Sequence, residues 1–146
     1  MYKHLFVPVD GSELSHRAMD GSIALAAQLG ARITGFVVEP DLPLSATSHD
    51  ADAFTHRIKA HEARNTEHAQ ALLGQFEERA KAAGVEFTGA SVTAYGVDQA
   101  IIEEAEKHGC DMIVMVTHGR GPVGEFLFGS HTTKIIARSS LPVFVM

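Results

Sequence analysis

Cysteine occurs once, at Cys110. An internal disulfide is therefore excluded, and a reducing cytoplasm is the expected setting. With no C-x-x-C partner, Cys110 reads as a small buried apolar residue. No apolar run approaches the roughly 18 residues that a membrane helix needs, so no span is expected. The opening MYKHLFVPVDGS has the pattern of a short strand and lacks a charged region followed by a long apolar core, so no signal peptide is expected. Twelve Lys and Arg stand against eighteen Asp and Glu, a net charge of −6, and no basic stripe occurs. Nucleic acid is not an expected partner. A bound anion would have to be held by local geometry, because the overall field repels it. Repeats, low-complexity blocks and linkers are also missing, which points to one domain over residues 1–146. Of nine histidines, His49, His56, His61 and His68 crowd one region, but none of these is paired at the i, i+4 spacing of a helical metal site. They read as solvated helix surface, and no metal ligands are expected.

What is present is a regular alternation. Lys3 to Val9 is a strand closed by Asp10-Gly11-Ser12. Ser12 or Ser15 can cap a helix to about Leu29, with Ala18, Ser22, Ala26 and Leu29 on one face and Gly30 as its stop. Arg32 to Val38 is a second, β-branched strand. Glu39 to Asp52, with two prolines and several small polar residues, reads as a loop. A long helix follows from about Ala53 to Ala83, its period carried by Ile58, Ala69, Leu72, Leu73, Phe76 and Ala80 and its end set by Gly84. Val85 to Val92 is a third strand, weakened by Gly89. Asp98 caps a short helix carrying Ile101, Ile102 and Ala105, and Gly109 stops it. Met112 to Val116 is an unbroken apolar strand, as expected where both sheet faces are covered. After a glycine-bearing loop, Ser130 is the expected N-cap of a helix over His131 to Arg138, and Leu141 to Met146 forms the last strand. The pattern β-α-β-α-β-α-β-α-β implies a doubly wound, Rossmann-like five-stranded parallel sheet with helices on both faces. Ligands of such sheets bind beyond the carboxyl ends of the strands, where strand order reverses. Asp10, Val37–Val38 and the glycine loop all lie at carboxyl ends.

The loop holds Gly119, Gly121 and Gly124 and closes on Gly129-Ser130. Glycines admit a ligand close to the backbone, and a helix amino end supplies unpaired N–H groups and partial positive charge. Together they form a candidate phosphate cradle. Two common phosphate motifs fail. Residues 119–124 match G-x-G-x-x-G in form, yet Gly124 opens no helix and no acidic residue lies about 20 positions on to hold a ribose. A P-loop needs Gly-Lys-Ser/Thr, whereas Gly129-Ser130 is followed by His131.

VPVDGS at Val7 to Ser12, FVVEP at the end of the second strand, VMVTHGRG, LFGSHTTKIIARS and the terminal LPVFVM give the chain a fuller match. It resembles the universal stress protein family, of the UspA type, over nearly all 146 residues. In the nucleotide-binding branch of that family the motif is Gly, two residues, Gly, nine residues, Gly, then Ser or Thr. The resemblance implies ATP held without a P-loop, with or without magnesium. It places Asp10 and Val37 around the adenine and ribose, with Pro8 and Met115 near them. It assigns the phosphates to Gly119, Gly129, Ser130 and the turn at His131 and Thr132, with His118 in the same loop. The sequence departs once: the first glycine of the motif falls on Val116, whose branched Cβ restricts the backbone and could close the pocket.

Other readings stay open beside these. Asp10 can simply cap the following helix. Ser12 and Ser15 read as caps sooner than nucleophiles, and Arg120 can pair with phosphate or stay solvated. The family resemblance implies an ATP-binding dimeric stress-response module. The loop has no lysine and no evident base, so hydrolysis would be slow or absent. One alternative is a nucleotide-independent dimeric module closed by Val116. Another is a phosphotransfer enzyme using Asp10, its one obvious carboxylate. The apolar strand LPVFVM at the end of the chain is expected at a sheet edge, where it invites pairing with a second copy.

Overall fold

The computed structural model describes residues 1–40, 51–116 and 127–146. The elements run β1 (His4–Val9), α1 (Glu13–Leu29), β2 (Arg32–Pro40), α2 (Ala51–Ala82), β3 (Phe87–Ala94), α3 (Val97–Lys107), β4 (Met112–Met115), α4 (Leu127–Arg138) and β5 (Val143–Val145). All strand pairs are parallel, in the order β3-β2-β1-β4-β5. The expected doubly wound sheet is therefore present.

Side-chain alternation divides the core in two. Leu5, Val7, Val9, Ile33, Val37, Met112, Val114 and Val116 face one layer, built by Met19 and Ile23 of α1 and Leu72 and Phe76 of α2. Phe6, Phe36, Ile113 and Met115 face the other, built by Ile101 and Ile102 of α3 and Ile135 of α4. Phe6 and Phe36 meet with ring centroids 4.9 Å apart. Every residue of β1 is buried, because the central strand is covered on both faces.

Several boundaries differ from expectation for identifiable reasons. β2 continues through Glu39 and Pro40, which pair with Thr93 and Ala94 of β3. A proline is tolerated there because it ends the strand. The expected loop from Glu39 thus starts later, and its residues 41–50 lie outside the described residues. β3 is displaced two residues from Val85–Val92, and Gly89 lies within it, in register with Gly35. A Cβ at Gly35 would stand 2.6 Å from the Phe87 ring, so the missing side chain makes room for that ring against Phe76, at a 4.8 Å centroid distance. α1 ends as expected, with Gly30 at φ 65 and Ala31 N–H donating to the Ala26 carbonyl.

Candidate functional site

The strand order reverses between β1 and β4. Their ladder covers only Leu5↔Met112 and Phe6↔Ile113, while β1 and β2 pair from His4↔Arg32 to Val9↔Val37. The cause is in the sequence. The Lys3 carbonyl accepts from Arg32 N–H toward β2, and the His4 carbonyl accepts from Asp111 N–H toward β4. Even-numbered residues of β1 therefore look toward β4. Pro8 is one of them and has no N–H to give. The rung it would have made is missing, and β1 and β4 are left unpaired toward their carboxyl ends. In a doubly wound sheet a ligand crevice is expected at this reversal of strand order.

Asp10 stands at its lip. Its Oδ1 accepts from Ser12 N–H at 2.9 Å and from the Ser15 hydroxyl at 3.0 Å. Ser15 Oγ in turn accepts from the N–H groups of Asp10 and Gly11, both at 2.9 Å. The β1–α1 turn is thus built by an Asp–Ser exchange, and Ser15, not Ser12, performs it. Ser12 is the N-cap of α1 by backbone, but its hydroxyl makes no capping bond. Asp10 Oδ2 has no hydrogen bond among the described residues.

Pro8 and Val37 are neighbours of this turn on β1 and the adjacent strand, and Met115 ends β4. Val37 is 1% exposed, so it can offer a ligand only its backbone. Val116 is 3% exposed and belongs to the apolar layer beneath α1 and α2. Its isopropyl group is occupied by that core.

α4 requires a correction. It begins at Leu127, so Ser130 lies inside its first turn and is not its N-cap. The helix takes in the four residues upstream of His131, and Thr132 and Ile135 are its buried residues among those described. Gly129 remains in the turn whose N–H groups have no intrahelical acceptor, whereas the N–H groups of His131 and Thr132 fall within the helical ladder. Thr132 is 4% exposed. The ring of His131 is directed at α3: its Nδ1 lies 3.4 Å from Asp98 Oδ1. Asp98 also takes Arg138 Nη1 on Oδ2 at 3.3 Å. It does not cap α3, whose N-cap is Gly96. Instead it ties α3 to α4 from a buried position. His118, Gly119 and Arg120 lie outside the described residues.

A titratable pair at the same edge escaped the sequence reading. Glu39 is 7% exposed, and its Oε1 lies 2.5 Å from His68 Nδ1. His68, expected to be a solvated helix residue, is thereby joined to β2. Glu39 carried the same signal as Asp10, a carboxylate at a strand's carboxyl end. The apparent loop around it hid the signal.

At the opposite edge, a cavity of about 600 Å³ is lined by Lys3, His4, Arg32, Glu86 and Asp111. Gly30, Gly84 and Gly109, which follow α1, α2 and α3, also border it. Helix carboxyl ends carry partial negative charge, so this edge disfavours phosphate. Burial lowers the affinity of His4 for a proton, with Arg32 acting in the same direction. Burial pushes the Cys110 thiol up to about 11, leaving it protonated and unreactive at neutral pH.

Fold and crevice together define the class: a doubly wound, Rossmann-like α/β protein whose strand order reverses between β1 and β4. Residues 1–146 match the Universal stress protein family. A universal stress protein of Thermus aquaticus is 29% identical over 147 residues, covering 100% of this chain and 99% of the relative. YxiE of Bacillus subtilis is 25% identical over 151 residues, covering 100% and 99%. Among solved structures, UspA from Lactobacillus plantarum superimposes with a TM-score of 0.77 at 20% identity, over 99% of this chain and 97% of that one. A universal stress protein in complex with cAMP gives 0.67 at 23% identity over 99% and 96%. One from Archaeoglobus fulgidus in complex with dAMP gives 0.66 at 16% identity over 99% and 97%. The chain belongs to the universal stress protein family.

Proposed function

We propose that this protein binds an adenine nucleotide, ATP with or without magnesium, in the crevice between β1 and β4, and acts in the cytoplasm as a homodimeric stress-response module with little or no hydrolysis. The observation that carries this reading is the reversal of strand order between β1 and β4, whose pairing ends at Phe6↔Ile113, beside the Asp10 turn. The residues present fit a nucleotide. Asp10 retains a free Oδ2 for a ribose hydroxyl, and the first turn of α4, with Gly129, supplies N–H groups to phosphate. The burial of Val116 in the core favours this reading over a crevice closed by its side chain. The nucleotide complexes of relatives with the same fold support it further. Dimerisation is supported by exposed Phe144 and Val145 on edge strand β5 and by Ile136 on α4.

Bound ATP at about a hundred times its dissociation constant adds about 2.7 kcal/mol of stability. For a chain of this length that raises the thermal midpoint by roughly 5–10 °C. Val116→Gly distinguishes the alternatives. On this reading the parent protein already shows the ATP-dependent rise. A rise that appears only in the variant would establish the closed, nucleotide-independent module instead.

A further inference from the structure

The cavity at the amino ends of the strands lies at the other edge of the sheet from the Asp10 turn and shares no residue with it. Its volume, about 600 Å³, is that of pockets which hold small organic ligands. Backbone hydrogen bonds set its charged residues in a row. Ile33 N–H donates to the Glu86 carbonyl, Arg32 N–H to the Lys3 carbonyl, and Asp111 N–H to the His4 carbonyl. Glu86, Arg32, Lys3 and Asp111 therefore follow one another at the starts of β3, β2, β1 and β4, which are neighbours in that order.

Three of these side chains are uncommitted. Glu86, Arg32 and Lys3 are exposed and form no ion pair among the described residues. Asp111 is engaged: its two oxygens accept from the N–H groups of Lys3 and His4 at 2.8 and 3.2 Å. His4 adds little positive charge, because burial and then Arg32 lower its affinity for a proton. Between the charges lie bare backbone and small apolar groups. A Cβ on Gly30, Gly84 or Gly109 would meet nothing within 4 Å, so the ends of α1, α2 and α3 are uncovered. The last carbonyls of a helix have no intrahelical donor, which leaves acceptors at this border. Ala26, Ala27, Ala83 and Val85 supply the apolar part of the wall.

A ligand for such a surface must carry both signs of charge and N–H donors. A simple anion meets the negative helix ends and two carboxylates. A simple cation meets Arg32 and Lys3. We propose that the cavity binds a peptide of two or three residues with free ends, its carboxylate held by Arg32 and Lys3, its ammonium by Glu86, and its N–H groups by the helix-end carbonyls. A guanidinium matches a carboxylate with two parallel N–H bonds. Neighbouring strands lie about 4.8 Å apart, so the Glu86 backbone is roughly 5 Å from that of Arg32 and roughly 10 Å from that of Lys3. Extended residues advance about 3.3–3.6 Å each, which sets the length of the peptide. Such binding is independent of the nucleotide.

Calorimetric titration of the full chain with Ala-Ala-Ala tests this, beside its N-acetylated and C-amidated forms and alanine alone. The free tripeptide should bind saturably at millimolar concentration or below. Blocking either end should weaken it about tenfold, the value of a charge-assisted hydrogen bond, and alanine should bind more weakly than the tripeptide. Arg32→Gln should abolish the preference for a free carboxylate and keep the preference for a free amine. Glu86→Gln should do the reverse. Both side chains are exposed, so the unfolding midpoints of the variants should stay near that of the parent. In the parent, the amide resonances of Gly30, Gly84 and Gly109 should shift as the tripeptide is added. No saturation at millimolar tripeptide, equal binding of free and blocked peptides, alanine binding as tightly as the tripeptide, or shifts centred on the Asp10 turn would each overturn the proposal.

Discussion

At the scale of the residue, the carboxylates and histidines are sorted by what surrounds them. Asp10 does not cap α1: its Oδ1 builds the preceding turn with Ser12 and Ser15, and its Oδ2 has no hydrogen bond among the described residues. Asp10 was legible because Asp-Gly-Ser after an apolar run is a local signal. Glu39 and His68 were not, since their meeting joins residues 29 positions apart. His4 was silent for the same reason. It is 8% exposed, and its Nε2 contacts Thr34 Oγ1 at 2.7 Å, a pairing set by sheet register and not by neighbours in sequence. Burial makes the folded protein hold the His4 proton less readily than the unfolded chain, whose ordinary value is 6.5. Below that pH the unfolded chain binds more protons, so stability falls as pH drops and levels off only below the folded value. Urea midpoints at pH 7.5 and 5.5 should therefore differ less in His4→Asn than in the parent. An identical pH slope in both proteins would show that His4 has no part in it.

At the scale of the element, helices and strands were read well where periodicity was strong and poorly where capping had to be guessed. Ala69, Leu72, Phe76 and Ala80 form the buried stripe of α2 as their spacing requires. Ser130 and Asp98 have cap chemistry but sit within α4 and α3, and Asp98 is drawn into a cross-helix ion pair with Arg138. Gly89 looked like a defect in β3. Its register partner Gly35 clears a site for Phe87, while a Cβ on Gly89 would meet Leu73 at ordinary contact distance. Gly35→Ala should therefore destabilise the protein by about 1–3 kcal/mol through overpacking. Phe87→Ala in the same chain should offset part of that cost, a non-additivity expected of residues in contact. Additive losses in urea unfolding would place the strain elsewhere.

At the scale of the molecule, the alternating pattern was enough to give a parallel sheet with layers on both faces, since few topologies satisfy right-handed crossovers. The crevice was legible only as a location. The early end of the β1–β4 ladder follows from the missing N–H of Pro8, and so from which residues of β1 face β4 and from the strand order itself. The same order leaves β5 at an edge, with Phe144 41% and Val145 40% exposed. If two copies join there, Phe144→Glu should convert a dimer into a monomer by light scattering at micromolar concentration, with little change in the unfolding midpoint of the isolated fold. A parent protein that already has monomer mass would remove the dimer from the account. Nucleotide binding at the β1–β4 opening is the central claim, and equilibrium dialysis of the purified protein against ATP tests it most directly. The account predicts saturable binding well below millimolar ATP, weakened by Asp10→Ala. The absence of saturable binding at millimolar ATP would contradict it.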